Sequence, residues 1–561
     1  IKPLPRRKLY DKVPLLDCFT APCKGGCPIH QDIPEYIELC RKGAYASALR
    51  LITEKNPLPF ITGTICAHNC MTKCMRNYYD EPVNIRATKL VAAEKGYDAY
   101  MSKITPPAPV TDGRKVAVIG GGPTGMSAAY FVGRAGIPVT LFEKADRLGG
   151  IVRQVIPAFR ISDEAIDKDV ALMEKMGVEV KLNTEAPSVA ELKAQGYTHI
   201  FFAVGAWKAG RLDIPGNVVP VIGWLRDMKA GKDVSLGHVA VVGGGNTAMD
   251  AARAALRAGA KSSTLVYRRT KKYMPADAEE LEMAIADGVE FLELVAPVEQ
   301  KDGKLICEKM KLGDPDDKGR RKPVPTGEMV EIPCDTVVSA VGEKVESEVF
   351  TRNGITVDEK GIPAFKTNLE GVYAGGDAMR GPATVVEGIA DAQYFANAVI
   401  GEAHKFAIPA KAVATREEAV AKKGVLCESA KCEGDRCLTC NVVCQVCADV
   451  CPNRANVVIE LPDGRQQILH VDRMCNECGN CAVFCPYDSA PYREKFTLFL
   501  TREGFDESVN NQGFLPLGGK KVLVRLDSKV FEADLDAKND LPADIEVFIW
   551  TVLTKYAYLM G

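Results

Sequence analysis

Two glycine-rich turns, each set between an apolar strand and a helix, constrain this 561-residue chain more than any other feature. The first follows the run Val116–Val118 and reads Gly120-Gly121-Gly122-Pro123-Thr124-Gly125 before a helical stretch, Met126–Arg134. In such a G-x-G-x-x-G turn the first glycine makes the bend and the second lets backbone approach a pyrophosphate. The third lets helix and strand pack closely. The helix N-terminus then offers unpaired N–H groups and a positive dipole end to phosphates. The next strand, Val139–Phe142, ends in Glu143, placed to bind a ribose hydroxyl. The bland alternative is a glycine-rich helix entry without ligand, which would not need the full strand–turn–helix–strand–acid order.

The second turn, Gly243-Gly244-Gly245-Asn246-Thr247-Ala248, follows the β-run His238–Gly243 and has Ala in the third place. Its next strand, Thr264–Tyr267, ends in Arg268-Arg269 with no acid. A carboxylate there would repel a 2′-phosphate, whereas a guanidinium pairs with it bidentately. Gly243, Gly245, Asn246, Thr247, Arg268 and Arg269 therefore make a candidate NADPH site, with NADPH preferred over NADH. Alternatively the two arginines cap a solvated strand end.

Cysteine usage is the second constraint. The chain has 20 cysteines, and all but Cys40, Cys307 and Cys334 fall in two sets, Cys18 to Cys74 and Cys427 to Cys485. A secreted disulfide framework would be short, so metal ligation is the expected use. Cys475-x2-Cys478-x2-Cys481-x3-Cys485-Pro486 matches the bacterial ferredoxin run. Its partner run, Cys440-x3-Cys444-x2-Cys447-x3-Cys451-Pro452, departs by one residue, and Cys437 is an extra candidate. The fourth cysteine of one run ligates the other cluster in two-cluster ferredoxins. One [4Fe–4S] cluster is then expected on Cys475, Cys478, Cys481 and Cys451. The other is expected on Cys444, Cys447, Cys485 and either Cys440 or Cys437. Zinc is the competing metal but does not require the Cys-x3-Cys-Pro ending. Cys427 and Cys432 stay unassigned. Cys40 reads as a packed thiol.

The architecture expected is multidomain. Residues 1–108 read as a helical Fe–S domain, with helical periodicity in Ile33–Leu39, Ala44–Ile52 and Ala87–Tyr97. Residues 109–225 and 345–408 read as two parts of an FAD domain around an NADPH domain at 226–344, both α/β and Rossmann-like. A linker spans 409–426. A small α+β ferredoxin domain with two clusters spans 427–492, and an α/β segment of unread role spans 493–561. Apolar residues make up 47% and charged residues 26%, with net charge −2, so neither nucleic acid nor an anionic membrane is indicated. No apolar run reaches membrane-span length. No signal peptide stands at the start, so a cytoplasmic protein is expected. The chain begins with Ile, so a fragment of a longer chain is expected.

The late segment Asn368–Asp377 reads as a strand ending on Gly375-Gly376-Asp377, ahead of a helix at Ala383–Ile400. Here the chain resembles the two-dinucleotide flavoprotein reductases of the glutathione-reductase type. The resemblance implies FAD contacts at Gly120, Gly122, Pro123, Gly125, Glu143, Lys144, Gly150, Gly205, Gly376, Asp377 and Thr384. Ala203-Val204-Gly205 and Ala340-Val341-Gly342 match the crossover strands. No Cys lies between Gly149 and Arg160. The redox-cysteine pair of disulfide reductases is absent, so electrons need another exit.

Up to about residue 408 the chain also resembles the small subunit of glutamate synthase and the N-terminal half of dihydropyrimidine dehydrogenase. The resemblance rests on Cys27-Pro28, Asn56-Pro57, Thr62-Gly63, Gly243–Arg253 and Tyr267-Arg268-Arg269-x4-Met274-Pro275. It implies that Cys18, Cys23, Cys27, Cys66, Cys70 and Cys74 ligate [4Fe–4S] clusters beside the FAD. Two ligand positions of those relatives do not match, because Leu15 replaces a Cys and Lys89 falls where Gln or Glu stands. Two clusters with substitute ligands such as Asp17 or His68, one cluster, and a zinc-bearing or empty domain stay open.

The order of parts, with Pro14-Leu15-Leu16-Asp17-Cys18 and Gln31-Asp32-Ile33-Pro34, is similar to the C-terminal half of the YgfK-type flavoprotein subunits. That group is linked to selenate reduction and associated with molybdenum hydroxylases. The resemblance implies an oxidoreductase subunit in a hetero-oligomer, passing electrons between NADPH and another redox protein through FAD and the clusters. A self-contained NADPH-dependent flavin reductase acting on a small molecule is the alternative, and a scaffold that kept its cofactor domains is a third class. The direction of flow stays open. No catalytic triad or HExxH motif is present, and the six histidines read as structural.

Overall fold

The strand Val116–Ile119 opens the first layered unit, and its Val-Ala-Val-Ile sequence suits a strand covered on both faces. It pairs in parallel with Val139–Phe142 on one side and His199–Phe202 on the other. Glu179–Lys181 and Val372–Ala374 extend the sheet to five parallel strands. Val372–Ala374 returns to this sheet from beyond the second glycine-rich turn. The computed structural model describes the chain except residues 1–19, 211, 233, 235, 317–320, 402–412, 427–430, 443, 488 and 509–510.

A second five-stranded parallel sheet has His238–Val242 beside Ser262–Tyr267 and Thr336–Ser339, with Glu290–Glu293 and Val218–Pro220 at its edges. Its core packs Val239, Val241, Leu265 and Val338 against Met249, Ala252 and Ala255 of the helix Asn246–Arg257. A three-stranded antiparallel sheet, Val295–Lys301, Lys304–Pro315 and Arg321–Pro333, is inserted before the last strand. Lys208–Ala209 pairs antiparallel with Glu343–Lys344, which ties the two crossover segments together.

Contacts group the described chain into two compact units. Ile52–Ala67 joins Ala93–Ala407 in the unit just described, and the described residues of 1–51, 68–92 and 408–561 make the other. In the reductase unit, Asp169 of the helix Asp163–Glu174 accepts from the N–H groups of Phe60 (3.1 Å) and Ile61 (2.8 Å). These are orphan donors of the helix Pro59–Ile65, whose C-cap is Cys66. Asn56 accepts from Leu58 N–H and donates to Thr62 Oγ1, fixing the entry to that helix.

The other unit is helical over its N-terminal part. It holds the helix Ile33–Arg41 and most of Tyr45–Thr53, and the helix Ile85–Met101, longer at both ends than the periodic stretch Ala87–Tyr97, starts there and runs on into the reductase unit. In its C-terminal part six strands form one sheet in chain order, from Asn456–Glu460 through Gln466–Val471, Thr497–Leu498, Gly513–Gly518 and Lys521–Leu526 to Lys529–Asp534. The segment 493–561 thus continues the sheet that begins beside the ferredoxin-type cysteines. Phe496, Leu498, Phe514, Val522 and Val524 pack under Phe548, Ile549 and Val552 of the final helix, Ala543–Lys555. Among the described residues no helix is long and apolar enough to cross a membrane.

Candidate functional site

The first glycine turn is shaped by close approach. Gly120 has φ +103, and a Cβ there would stand 2.5 Å from the Ala203 carbonyl oxygen. At Gly125 a Cβ would stand 1.9 Å from the carbonyl oxygen of Gly120, so no side chain fits between turn and helix. The helix begins at Pro123, whose missing N–H is harmless in the first turn. Glu143 is buried at the end of its strand, and its carboxylate accepts from Gly121 N–H at 2.7 Å and Ala145 N–H at 2.8 Å. It therefore holds the turn in its bent form.

Further elements close on this turn. Gly149 N–H donates to Gly121 O at 2.8 Å, and Gly150 abuts Gly122. Gly376 and Gly388 both lie against Thr124, where a Cβ on either would meet the hydroxyl within 2.4 Å. Thr124 is a contact the sequence reading did not single out. Asp377 starts the short helix Asp377–Arg380, and its carboxylate accepts from Ala383 N–H at 3.1 Å. Burial pushes the Asp377 carboxyl up to about 6, against the pull of that N–H. Thr384 is the N-cap of the helix Val385–Ile400, in a capping box with Glu387. Lys144 is exposed, and Gly205 takes φ +75 on the crossover segment. The glycine contacts and the buried carboxyls fit a dinucleotide such as FAD.

The second turn repeats the design. Gly243 would place a Cβ 2.3 Å from Ala340 O, while Gly245 faces open space. Gly245 is the N-cap of Asn246–Arg257, so backbone can approach a phosphate at that helix start. Asn246 accepts from Asp277 N–H at 3.1 Å, and Thr247 is half-buried. Arg268 is exposed and Arg269 half-buried at the end of Ser262–Tyr267. Neither is held in an ion pair among the described residues. Lys271 and Lys272 follow at once and add to the cationic end, a signal visible in the sequence as the run Arg268-Arg269-Thr270-Lys271-Lys272. Arg160 spans the two halves of the reductase unit. It pairs with Asp250 of the helix Asn246–Arg257 at 2.8 Å and with Glu280, all three largely buried. Burial pushes the Asp250 carboxyl up to about 6.

The C-terminal cysteines gather around one small cavity lined by Cys451, Cys475, Cys478 and Cys481. These are the four that the ferredoxin spacing groups together. Ala455 N–H donates to the Cys451 sulfur at 3.2 Å, and Glu477 N–H to the Cys475 sulfur at 3.3 Å. Such amide–sulfur bonds favour thiolate and tune a cluster. Cys447 lies on the helix Val446–Asp449, packed against Asn480–Val483, and its carbonyl accepts from Asn456 Nδ2 at 3.1 Å. Cys444 neighbours Cys440, and Cys485 is half-buried.

Cys437 and Cys440 are placed differently from a purely ferredoxin reading. Both line a second cavity together with Cys23 and Cys74. Burial pushes the Cys23 thiol well up, and Cys74, Cys437, Cys440 and Cys70 push it further. Cys27 is half-buried, Cys70 is buried, and Cys66 caps its helix. Cys18, Leu15, Asp17 and Cys427 lie outside the described residues. His68, named as a substitute ligand, receives a hydrogen bond from Arg86 at 3.4 Å, and Lys89 is buried. Cys307 and Cys334 are buried packed thiols, pushed by burial up to about 12 and about 11. Cys40 is half-buried on Ile33–Arg41, and Cys432 is exposed.

The sequence pattern of the pyridine nucleotide-disulphide oxidoreductases matches residues 114–392. That of the dihydropyrimidine dehydrogenase domain II, 4Fe-4S cluster, matches residues 15–99. The chain is 41% identical over 593 aligned positions to the oxidoreductase YgfK of Escherichia coli K12, covering 100% of this chain and 57% of that protein. The chain therefore spans little more than half the length of that relative. It is 36% identical to the beta subunit of the NADP(+)-dependent formate dehydrogenase of Moorella thermoacetica, over 66% of this chain and 58% of that one. It is 31% identical to the NADPH glutamate synthase small chain of Escherichia coli K12, over 69% of this chain and 89% of that one. The fit of the two turns and of the cysteine sets agrees with FAD, NADPH and [4Fe–4S] clusters as cofactors. The chain belongs to the glutamate synthase small-chain family of pyridine nucleotide oxidoreductases.

Proposed function

We propose that the chain is an electron-transfer subunit that exchanges electrons between NADPH and a partner redox subunit. The observation that carries this reading is the cavity lined by Cys451, Cys475, Cys478 and Cys481, in a chain without a cysteine pair between Gly149 and Arg160. A reductase that finished its chemistry at the flavin would need no such exit. Bound FAD supplies the step between two-electron hydride chemistry and one-electron transfer, and the clusters carry single electrons.

The protein's own residues bind and orient. Arg268 and Arg269 hold the NADPH 2′-phosphate, and the turn Gly243–Ala248 offers its helix N-terminus to the pyrophosphate. Glu143, through Gly121 N–H, keeps the FAD turn in its bent form. Asp377 and the helix Val385–Ile400 close that site opposite the turn. Amides aimed at the cysteine sulfurs stabilise thiolate ligands. The ferredoxin-type region is read as an α+β domain with two clusters, and the N-terminal helices as holding one or two more.

The partner is read as another redox subunit in a hetero-oligomer. Relatives named as beta subunits of formate dehydrogenase and of an NADPH–Fe(3+) oxidoreductase support that reading. A molybdenum hydroxylase or a selenate-reducing system is the terminal enzyme we favour. The reading is tested with NADPH and an oxidised ferredoxin as acceptor. Wild type is expected to reduce the acceptor, and Cys478→Ala to lose that transfer while NADPH still bleaches the flavin. Equal rates in both proteins would place the exit at the flavin and overturn the conduit.

A further inference from the structure

The turn Cys437-Leu438-Thr439-Cys440 holds one cysteine more than the ferredoxin spacing uses, and its backbone is constrained. Thr439 is buried and takes φ +47, the left-handed region that a β-branched residue adopts only under constraint. Both Cys437 and Cys440 then face the same cavity as Cys23 and Cys74, walled by Ile33, Ile37 and Val83. Cys23 follows Pro22 on a short helix, and Cys74 precedes the turn Met75–Tyr78, so three separate stretches of chain meet there.

The connector is also locked to the N-terminal helices. Lys422 pairs with the buried Glu38 at 3.2 Å, and Arg41 pairs with Glu418 at 3.2 Å. Arg76, itself buried, donates to Val425 O at 2.7 Å. Glu433 accepts from Asn84 N–H at 2.8 Å, and Arg436 donates to Glu81 O at 2.7 Å. Such a set of polar contacts, some part-buried and some exposed, fixes the Cys437 turn in one register.

Packing alone does not account for four thiols meeting in an apolar pocket. A single zinc ion does not suit them either. Its four sulfurs would stand about 3.8 Å apart at ordinary Zn–S lengths. Among the described residues no three His, Cys, Asp or Glu side chains converge closely enough for one metal ion. An iron–sulfur cubane takes thiolates at wider spacing and compensates their charge in a dry site.

We infer that Cys437 is a ligand of the N-terminal [4Fe–4S] cluster, with Cys23 and Cys74. The ferredoxin region thereby contributes a covalent ligand to the cluster of the opposite end of the chain. Cys440, which also neighbours Cys444, stands between that cluster and the ferredoxin set. The inference rests on reading Cys23 and Cys74 as cluster ligands.

The test uses the full chain, purified anaerobically as wild type, Cys437→Ala, Cys437→Ser, Cys23→Ala and Cys444→Ala. Iron, acid-labile sulfide and FAD are counted per chain, and dithionite-reduced samples are compared by low-temperature EPR. Cys437→Ala and Cys23→Ala are expected to lose the same EPR signal and about four irons each. Cys444→Ala is expected to lose a different signal. Cys437→Ser is expected to keep its iron with shifted g values, because serine oxygen can replace the thiolate, and this separates ligation from misfolding. Unchanged iron and spectra in Cys437→Ala, or loss of the Cys444 signal instead, overturn the inference while the N-terminal cluster stands. Unchanged iron in Cys23→Ala removes the N-terminal cluster reading itself, and the inference with it.

Discussion

Arg268 and Arg269 end a strand where, on the proposed reading, each would meet the 2′-phosphate through charge-assisted hydrogen bonds of about 1.5–3 kcal/mol. Arg268→Ala and Arg269→Ala are each expected to raise the KM for NADPH roughly 10- to 100-fold. The KM for NADH should change little, since it carries no 2′-phosphate. Steady-state kinetics with both nucleotides checks this, and equal losses for the two would show that the arginines only cap the strand. His470 works by burial. Its Nδ1 lies 3.0 Å from Asn456 Oδ1, and Asn456 in turn holds the Cys447 carbonyl. Burial pulls its imidazole from 6.5 down to about 4. The stability it contributes is therefore full above pH 6.5 and is lost as pH falls through about 4. That loss amounts to about 3 kcal/mol. Denaturant unfolding of wild type and His470→Gln at pH 7 and pH 4.5 is expected to show a smaller acid loss in the variant.

At the scale of elements, Asp169 carries more weight than its place on a surface helix suggests. It is buried and caps two N–H groups of Pro59–Ile65, a helix distant in sequence that ends at Cys66. Asp169→Ala is expected to lower stability by about 2 kcal/mol, read as the change in unfolding midpoint. Asp169→Asn, which keeps one acceptor, should lose less. This cap carries no sequence signal, because a helix cap supplied from 108 residues away obeys no local spacing. The nucleotide-binding elements were legible for the opposite reason. Strand, glycine turn and helix follow one another within a few residues, and close packing at Gly125 or Gly243 tolerates no substitute. The segment 493–561 was not legible as part of the cysteine-bearing sheet. Its link to that sheet is the two-residue strand Thr497–Leu498, paired in parallel with Gln466–Val471, and so short a strand has no readable period.

At the scale of the molecule, the same distinction holds for the cysteines. Local spacing grouped Cys451 with Cys475, Cys478 and Cys481, and the fold brings those four to one cavity. Spacing could not tell that Cys437 and Cys440 face Cys23 and Cys74, because those partners lie more than 360 residues upstream. Within the reductase unit, Arg160 joins the region of the first glycine turn to that of the second through Asp250 and Glu280. Arg160→Met would leave the buried Asp250 without its ion-pair partner and Glu280 with only the longer pair to Arg253 at 3.9 Å, and is expected to cost about 3–5 kcal/mol. Adding Asp250→Asn should restore part of that loss in thermal unfolding. The electron-conduit reading is tested most directly by an anaerobic NADPH titration of the purified protein, with flavin absorbance and iron–sulfur EPR followed together and NADH as control. Flavin bleaching with cluster signals growing in, at lower NADPH than NADH concentration, is the expected result. A flavin that bleaches while iron is absent and the cluster signals stay silent would contradict the assignment of the cysteines and leave a small-molecule flavin reductase in its place.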